Sequence, residues 1–328
     1  MSGRRRAVVA LLAGAAASFA ARPASAQNAD VDRFFEQLAA LPDVVISELS
    51  EALRKARGVD VELVRTRYEH VATSRLEEPA SYGITPALGT HTVSTRAFIP
   101  WPIGRDTAVA AAVSYESTTF RHAGRSAFPA ERVHGMRVQI ALLRQLSERW
   151  RLLTGVEGGL LSDLGGDAAS EKLSIHDFQT GGLILFDVKL APWASLSFGS
   201  AVSSTVGVPA PIPVVRASIE HEGFSAEMTV PTNLRVAYEP RPGLTFGARA
   251  ALTGNSYHLI ARDETLAYRG VFVGGFIGAE VLDGLTFEMS GGIAPWRQLR
   301  LVDDLDREIA NLDPLTAPFF RLELDFRL

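Results

Sequence analysis

Strict alternation of apolar and charged side chains marks the end of the chain. Phe320, Leu322, Leu324, Phe326 and Leu328 are apolar, and Arg321, Glu323, Asp325 and Arg327 between them are charged. A period of two belongs to the β-strand, whose successive side chains point to opposite faces. The same period recurs upstream. Val113 and Tyr115 alternate with Ser114 and Glu116, and Met136, Val138 and Ile140 with Arg137 and Gln139. Leu152, Thr154 and Val156 alternate with Arg151 and Glu157, Ile184, Phe186 and Val188 with Asp187 and Lys189, and Val215, Ala217 and Ile219 with Arg216, Ser218 and Glu220. The pattern predicts strands over 59–71, with a bulge near Leu63, then 88–99, 107–120, 134–142, 150–158, 178–188, 196–202 and 215–219. Further strands are predicted over 244–259, 266–282, 285–296 and 316–328.

The stretch Phe224 to Glu239 reads in two ways, as one strand kinked at Pro231 or as a hairpin turning at Pro231-Thr232-Asn233. Loop lengths choose between them. Short joins at 100–106, 147–149, 191–193, 221–223, 239–243 and 283–284 alternate with long ones at 73–87, 121–131, 161–176, 203–213, 260–265 and 298–315. A single kinked strand breaks that alternation and leaves an odd strand count. A hairpin restores both and gives about fourteen strands, with twelve as the alternative.

The other end of the chain differs. Arg4, Arg5 and Arg6 precede an apolar run from Ala7 to Ala21 and a small-residue site at Ala24-Ser25-Ala26. This is the form of a cleaved secretory signal peptide over 1–26, cut before Gln27. Its loss removes four arginines and takes the net charge from −4 to −8. An acidic chain is a poor nucleic-acid partner. Residues 27–57 carry the one helical pattern: Val31, Phe34, Phe35, Leu38 and Leu41, interrupted at Pro42 and resumed at Val45, Leu49 and Leu53. The expectation is an amphipathic segment at the rim of the sheet, with a lumenal plug as the alternative. With 47% apolar residues but no later run of about 18–20, the chain has no spanning helix. Apolar content spread through short alternating runs is the signature of a transmembrane barrel.

These features resemble the bacterial outer-membrane β-barrel proteins over residues 58–328, and the Arg321–Leu328 ending resembles their closing strand. Ala294-Pro295-Trp296-Arg297, before a long join and a final alternating strand, is similar to an uncharacterised barrel family of unknown function. The resemblance implies an all-β, single antiparallel up-and-down barrel in the cell outer membrane, in contact with outer-membrane lipid. It implies assembly by the barrel-assembly machinery and periplasmic chaperones, with Phe320, Leu322, Leu324, Phe326 and Leu328 as the assembly signal. Trp101, Trp150 and Trp193 then fall at periplasmic joins, and Trp296, Tyr68, Tyr115, Tyr257 and Tyr268 near outer ends, as interfacial aromatics do.

Charges facing lipid cost roughly 2–4 kcal/mol for Arg or Lys at mid-bilayer, so charged positions are assigned to the lumen. These are Arg151, Glu157, Asp187, Lys189, Arg216, Glu220, Arg235, Arg249, Glu288, Arg321, Glu323, Asp325 and Arg327. A barrel this wide is not filled by wall side chains alone. The function expected is a pore or transport channel for small solutes. An outer-membrane lipid-modifying enzyme and a structural barrel with a plugged lumen are the alternatives.

Candidate catalytic chemistry is sparse. An outer-membrane phospholipase family places a histidine two residues before its serine, whereas His258 here follows Ser256. His221, Glu222, Ser225 and Glu227 hold the parts of a Ser-His-Glu set, but at a predicted periplasmic turn. A triad is recognised by geometry, not by composition, so no catalytic residue is assigned. The chain has no cysteine, and the histidines lack metal-ligand spacing, so neither a metal site nor a cofactor site is assigned.

Overall fold

In the computed structural model, described for residues 62–328 except 77–86, 104–105, 123–129, 165–176, 204–210, 231, 261–262, 304, 306 and 328, the chain is all-β. The strands are β1 (Glu62–Arg75), β2 (Ala87–Pro102), β3 (Thr107–His122), β4 (Arg132–Gln145) and β5 (Trp150–Ser162). Next come β6 (Phe178–Ala191), β7 (Ala194–Ser203), β8 (Ile212–His221), β9 (Phe224–Val230) and β10 (Asn233–Arg241). The last are β11 (Leu244–Leu259), β12 (Glu264–Leu282), β13 (Leu285–Asp303), β14 (Glu308–Leu312) and β15 (Ala317–Arg327).

From β1 to β14 consecutive strands pair antiparallel, and β15 pairs both β13 and β1, so the sheet closes on itself. β14 pairs only β13, as a flap, which leaves fourteen strands in the wall. The hairpin expected between Val230 and Asn233 is present, and the bulge near Leu63 appears as a register shift between Glu62 and Val64. The expected signal peptide, the segment 27–57 and Leu328 lie outside the described residues.

The two faces of the wall differ as alternation requires. Val113, Met136, Val138, Ile140, Val156 and Ile184 stand outward and are about half exposed, an apolar belt for lipid. Trp101, Trp150 and Trp193 ring the end with the short turns, where β1 begins and β15 ends. By the class rule that end is periplasmic. The turns there suit tight hairpins. Glu222 and Gly223 both have positive φ, 49° and 76°, the two-residue turn whose twist matches the flanking strands. Higher in the wall, a side chain at Gly292 would meet the Val273 carbonyl oxygen at 2.1 Å, so the β12–β13 contact requires glycine.

Closure is reinforced inside the barrel. Arg321 on β15 donates to Glu69 on β1, and both are buried. One turn of register nearer the periplasm, Arg65 donates to Asp325 at 2.7 Å. These charge-assisted bonds clamp the first strand to the last.

Three parts of the loop end depart from expectation. β13 does not stop at Trp296 but runs on to Asp303, and the predicted join 298–315 holds its continuation and the flap β14. The cause is a bulge. Val271 faces Trp296 while Val273 faces Ile293, so the phase of β13 flips between Ile293 and Trp296. Trp296 therefore lies within the strand, under the Arg269 guanidinium at 5.4 Å, and not at an outer interface. Tyr257 and Tyr268 are buried in an inward cluster rather than set in an interfacial belt.

Two outcomes follow. Val138→Arg places a cation in the lipid belt and should destabilise the barrel by roughly 2–4 kcal/mol, measured by urea unfolding in vesicles. Glu69→Gln removes the nearest counter-charge of the buried Arg321 and should cost about 3–5 kcal/mol in the same measurement, most of it recovered in Glu69→Gln/Arg321→Met.

Candidate functional site: a vestibule closed at its outer end

Among the described residues, the outer half of the barrel is filled by side chains. The loop ends of β6 to β10 step down around the wall until Asn233 pairs Ala251, and β11 continues upward without β10 beside it. Leu252 N–H still meets the β9–β10 turn, donating to the Thr232 carbonyl at 2.8 Å, and beyond it the free edge crosses to β5 and β6: the Gln179 amide donates to the Ser256 carbonyl at 2.6 Å, and Asp163 N–H to the His258 carbonyl at 3.2 Å. His258 and Ser162 form a parallel bridge between β11 and β5. Backbone groups that would otherwise face lipid unpaired are satisfied in this way.

The inner face of the same segment reaches β3 and β4. Tyr257 donates to Glu116 at 2.6 Å, Asn255 donates to Glu116 at 2.8 Å, and Arg137 donates to Asn255. Above these bonds an apolar cap fills the outer end. It comprises Leu88, Phe120, Val133, Leu161, Leu259, Leu266, Leu299, Leu301 and, from the flap, Ala310 and Leu312. Arg297, fully buried, ties the cap down by donating to Ser74 Oγ and, at 3.1 Å, to the Leu315 carbonyl. A barrel of this width is not filled by wall side chains alone. Among the described residues, the wall itself leans in and closes the outer end.

Below the cap on the β8–β13 side lies a cavity of about 740 Å³ that reaches the periplasmic turns. Eight of the thirteen positions assigned to the lumen line it: Glu220, Arg235, Arg249, Glu288, Arg321, Glu323, Asp325 and Arg327. Glu288 is the hub, accepting from Arg235 at 2.8 Å and from Arg249. Phe276 supports this fork from behind, its ring centroid 4.2 Å from the Arg235 guanidinium carbon. Glu220, Glu222, Glu239 and Glu280 sit at or near the turns, so this arc of the mouth is acidic, while Arg65 and Arg327 stand on the β1 and β15 side.

The remaining five assigned positions lie elsewhere. Arg151, Asp187 and Arg216 share a small recess with Leu143, Leu153, Leu185 and Ser197, and Asp187 accepts from Ser197 at 2.8 Å. Arg216 also pairs with Glu227 at 3.1 Å. Glu157 accepts from Gln139 at 2.8 Å, and Lys189 is exposed near its turn. Next to them Phe98, Ala110, Ala141, Leu153, Leu185 and Val214 form a buried apolar cluster along β2 to β8. Among the described residues, the larger cavity thus lies on one side of the barrel. Six further charged groups that line the cavity, Arg65, Arg67, Glu222, Glu227, Glu239 and Glu280, are not among the positions assigned from the alternation; β1 reads out of phase across its bulge.

The two histidine–serine sets considered from the sequence lie apart, His258 with Ser256 on upper β11 and His221 with Ser225 at the β8–β9 turn. His258 is buried and faces Asp263 at 3.4 Å, while Ser256 lies two residues along the same strand face, about 7 Å away. His221 faces Glu222 at 3.4 Å and tilts against Trp193. Among the described residues no group of three or more His, Cys, Asp or Glu is placed to hold a metal ion.

Solved structures share this architecture at low identity. An outer membrane channel from Pseudomonas putida F1 is 9% identical with a TM-score of 0.44, over 83% of this chain and 96% of that one. The Pseudomonas putida toluene transporter TodX is 11% identical with a TM-score of 0.40, over 87% and 93%. LpxR from Salmonella typhimurium is 7% identical with a TM-score of 0.32, over 80% and 99%. No curated protein matches the sequence. A family model does match, over residues 104–321, from the turn before β3 into β15, and the chain belongs to that family of barrels, described as Domain of unknown function (DUF6268).

Proposed function

We propose that this protein is a gated outer-membrane channel for small polar solutes, held closed at its outer end. One observation carries the reading: a charged vestibule reaches the periplasmic turns, while an apolar cap built from a paired flap seals the opposite end. A purely structural barrel gains nothing from a water-filled cavity lined by paired charges, since apolar packing stabilises as well or better than buried ion pairs. The acidic arc Glu220, Glu222, Glu239 and Glu280 gives the mouth a local potential that favours cationic or zwitterionic solutes over anions. Glu288, bridging Arg235 and Arg249, offers a deeper point where a solute carboxylate or ammonium exchanges with an internal partner.

The cap is the gate in this reading. Arg297 holds the upper part of β13 against Ser74 and Leu315, so opening requires those bonds to break and the flap to leave its apolar seat. Planar-bilayer recording tests this. The wild type should show low conductance with rare openings, and Leu299→Asp/Leu301→Asp should raise open probability at least severalfold, with cations favoured in the reversal potential. Capped and uncapped forms that conduct alike, or that both fail to conduct while folded, would remove the channel reading.

A further inference from the structure

The vestibule carries two charged poles of opposite sign, and the chemistry of each limits what lies between them. At the mouth, Gly243 N–H donates to Glu239 Oε1 at 2.9 Å, and Gly284 N–H donates to Glu280 Oε1 at 3.1 Å. A side chain at Gly243 would meet Glu280 Oε2 at 3.3 Å, so both carboxylates converge on this one glycine. Each turn bond uses one carboxylate oxygen and leaves the other. Both residues are exposed, and among the described residues neither is ion-paired. Two carboxylates held in place without a counter-charge make a receptor for an ammonium group, which donates to several acceptors at once.

Deeper in, Arg235 and Arg249 share the single carboxylate of Glu288, so this fork keeps a net positive charge. The Arg249 side chain is 14% exposed and is spent on Glu288 and Ser290. The Arg235 side chain is 36% exposed and gives Glu288 one of its nitrogens. Its guanidinium, backed by the Phe276 ring, therefore presents further donors to the cavity in the planar arrangement that takes a carboxylate.

The spacing of the poles sets the length of the ligand. Arg235 and Glu239 are four residues apart on β10, about 13 Å along the strand. The row between them, Ser225 and Ala237, carries no charge. An extended chain of three or four residues places its ammonium and carboxylate about 10–13 Å apart. A free amino acid is too short to reach both poles. Ser225, Thr245 and Thr286 also line the cavity and suit the amides of a peptide better than a methylene chain.

We propose that the vestibule binds a short extended peptide, its ammonium end held by Glu239 and Glu280 and its carboxylate end by Arg235. This rests on the channel reading and names its solute as peptides of three or four residues.

Calorimetric titration of the whole barrel in detergent micelles tests the site, with triglycine as the probe. The comparison ligands are N-acetyl-triglycine, triglycine amide, glycine and 8-aminooctanoate. Wild type should bind triglycine about tenfold more tightly than any of the four. In Arg235→Gln, triglycine and its amide should bind alike while the preference over the acetyl form remains. In Glu239→Gln/Glu280→Gln, the acetyl form should match triglycine while the preference over the amide remains. Arg235→Lys should keep the wild-type order. Heat-modifiable gel mobility checks the fold of each variant, and the wild-type comparison decides without any of them. Equal binding of triglycine and its capped forms to wild type, or no binding at all, would overturn the site. A folded variant that weakens every ligand equally would overturn the assignment of that end. Binding of 8-aminooctanoate as tight as that of triglycine would overturn the peptide assignment. Binding is read without transport, so a barrel that prefers triglycine yet never conducts contradicts the channel reading alone.

Discussion

A strand that crosses hydrocarbon has no water to satisfy its N–H and C=O groups, so the sheet must close, and here closure is the pairing of β1 with β15. Everything else in the molecule follows from that seam. It sets the even strand count, brings both ends of the wall to the periplasmic side, and fixes which alternating face meets lipid. The buried Arg321–Glu69 pair and the Arg65–Asp325 bond place charge-assisted contacts across the seam itself. The alternating charges of the last strand thus serve closure as well as lining a cavity.

The same constraint shapes the outer half. β9 and β10 are short, seven and nine residues, and they leave the upper edge of β11 without a neighbour. An exposed edge of that length is costly in lipid. β11 resolves it by crossing to β5 and by accepting and donating bonds along the way, which draws β12, β13 and the flap over the lumen. The apolar cap and the one-sided vestibule are consequences of that crossing. A wide barrel becomes narrow at its outer end without an added plug among the described residues.

Much of this was legible in the residues. The period of two placed the strands, and the alternation of short and long joins identified the hairpin at Val230–Asn233 although each arm is shorter than a usual spanning strand. The assignment of charges away from lipid brought eight of its residues into one cavity. The misses share a cause. Alternation shows that two faces differ, but not that both are enclosed. Tyr257 and Leu252 stand on opposite faces of upper β11 and both are buried, because that segment lies inside the barrel. The bulge at Ala294–Pro295 reverses the phase of β13, so Arg297, Leu299 and Leu301 read as a loop against the pattern below them. Cross-lumen bonds such as Tyr257–Glu116 link residues far apart in sequence and have no local signature.

In the proposed channel the vestibule opens to the periplasm and is sealed from outside. Because the chain has no cysteine, a single one introduced at Ala251, in the vestibule wall, is a clean probe. In oriented vesicles, a membrane-impermeant maleimide should label this residue when applied to the turn side and leave it unlabelled from the loop side. Equal labelling from both sides, or labelling from the loop side alone, would contradict the account.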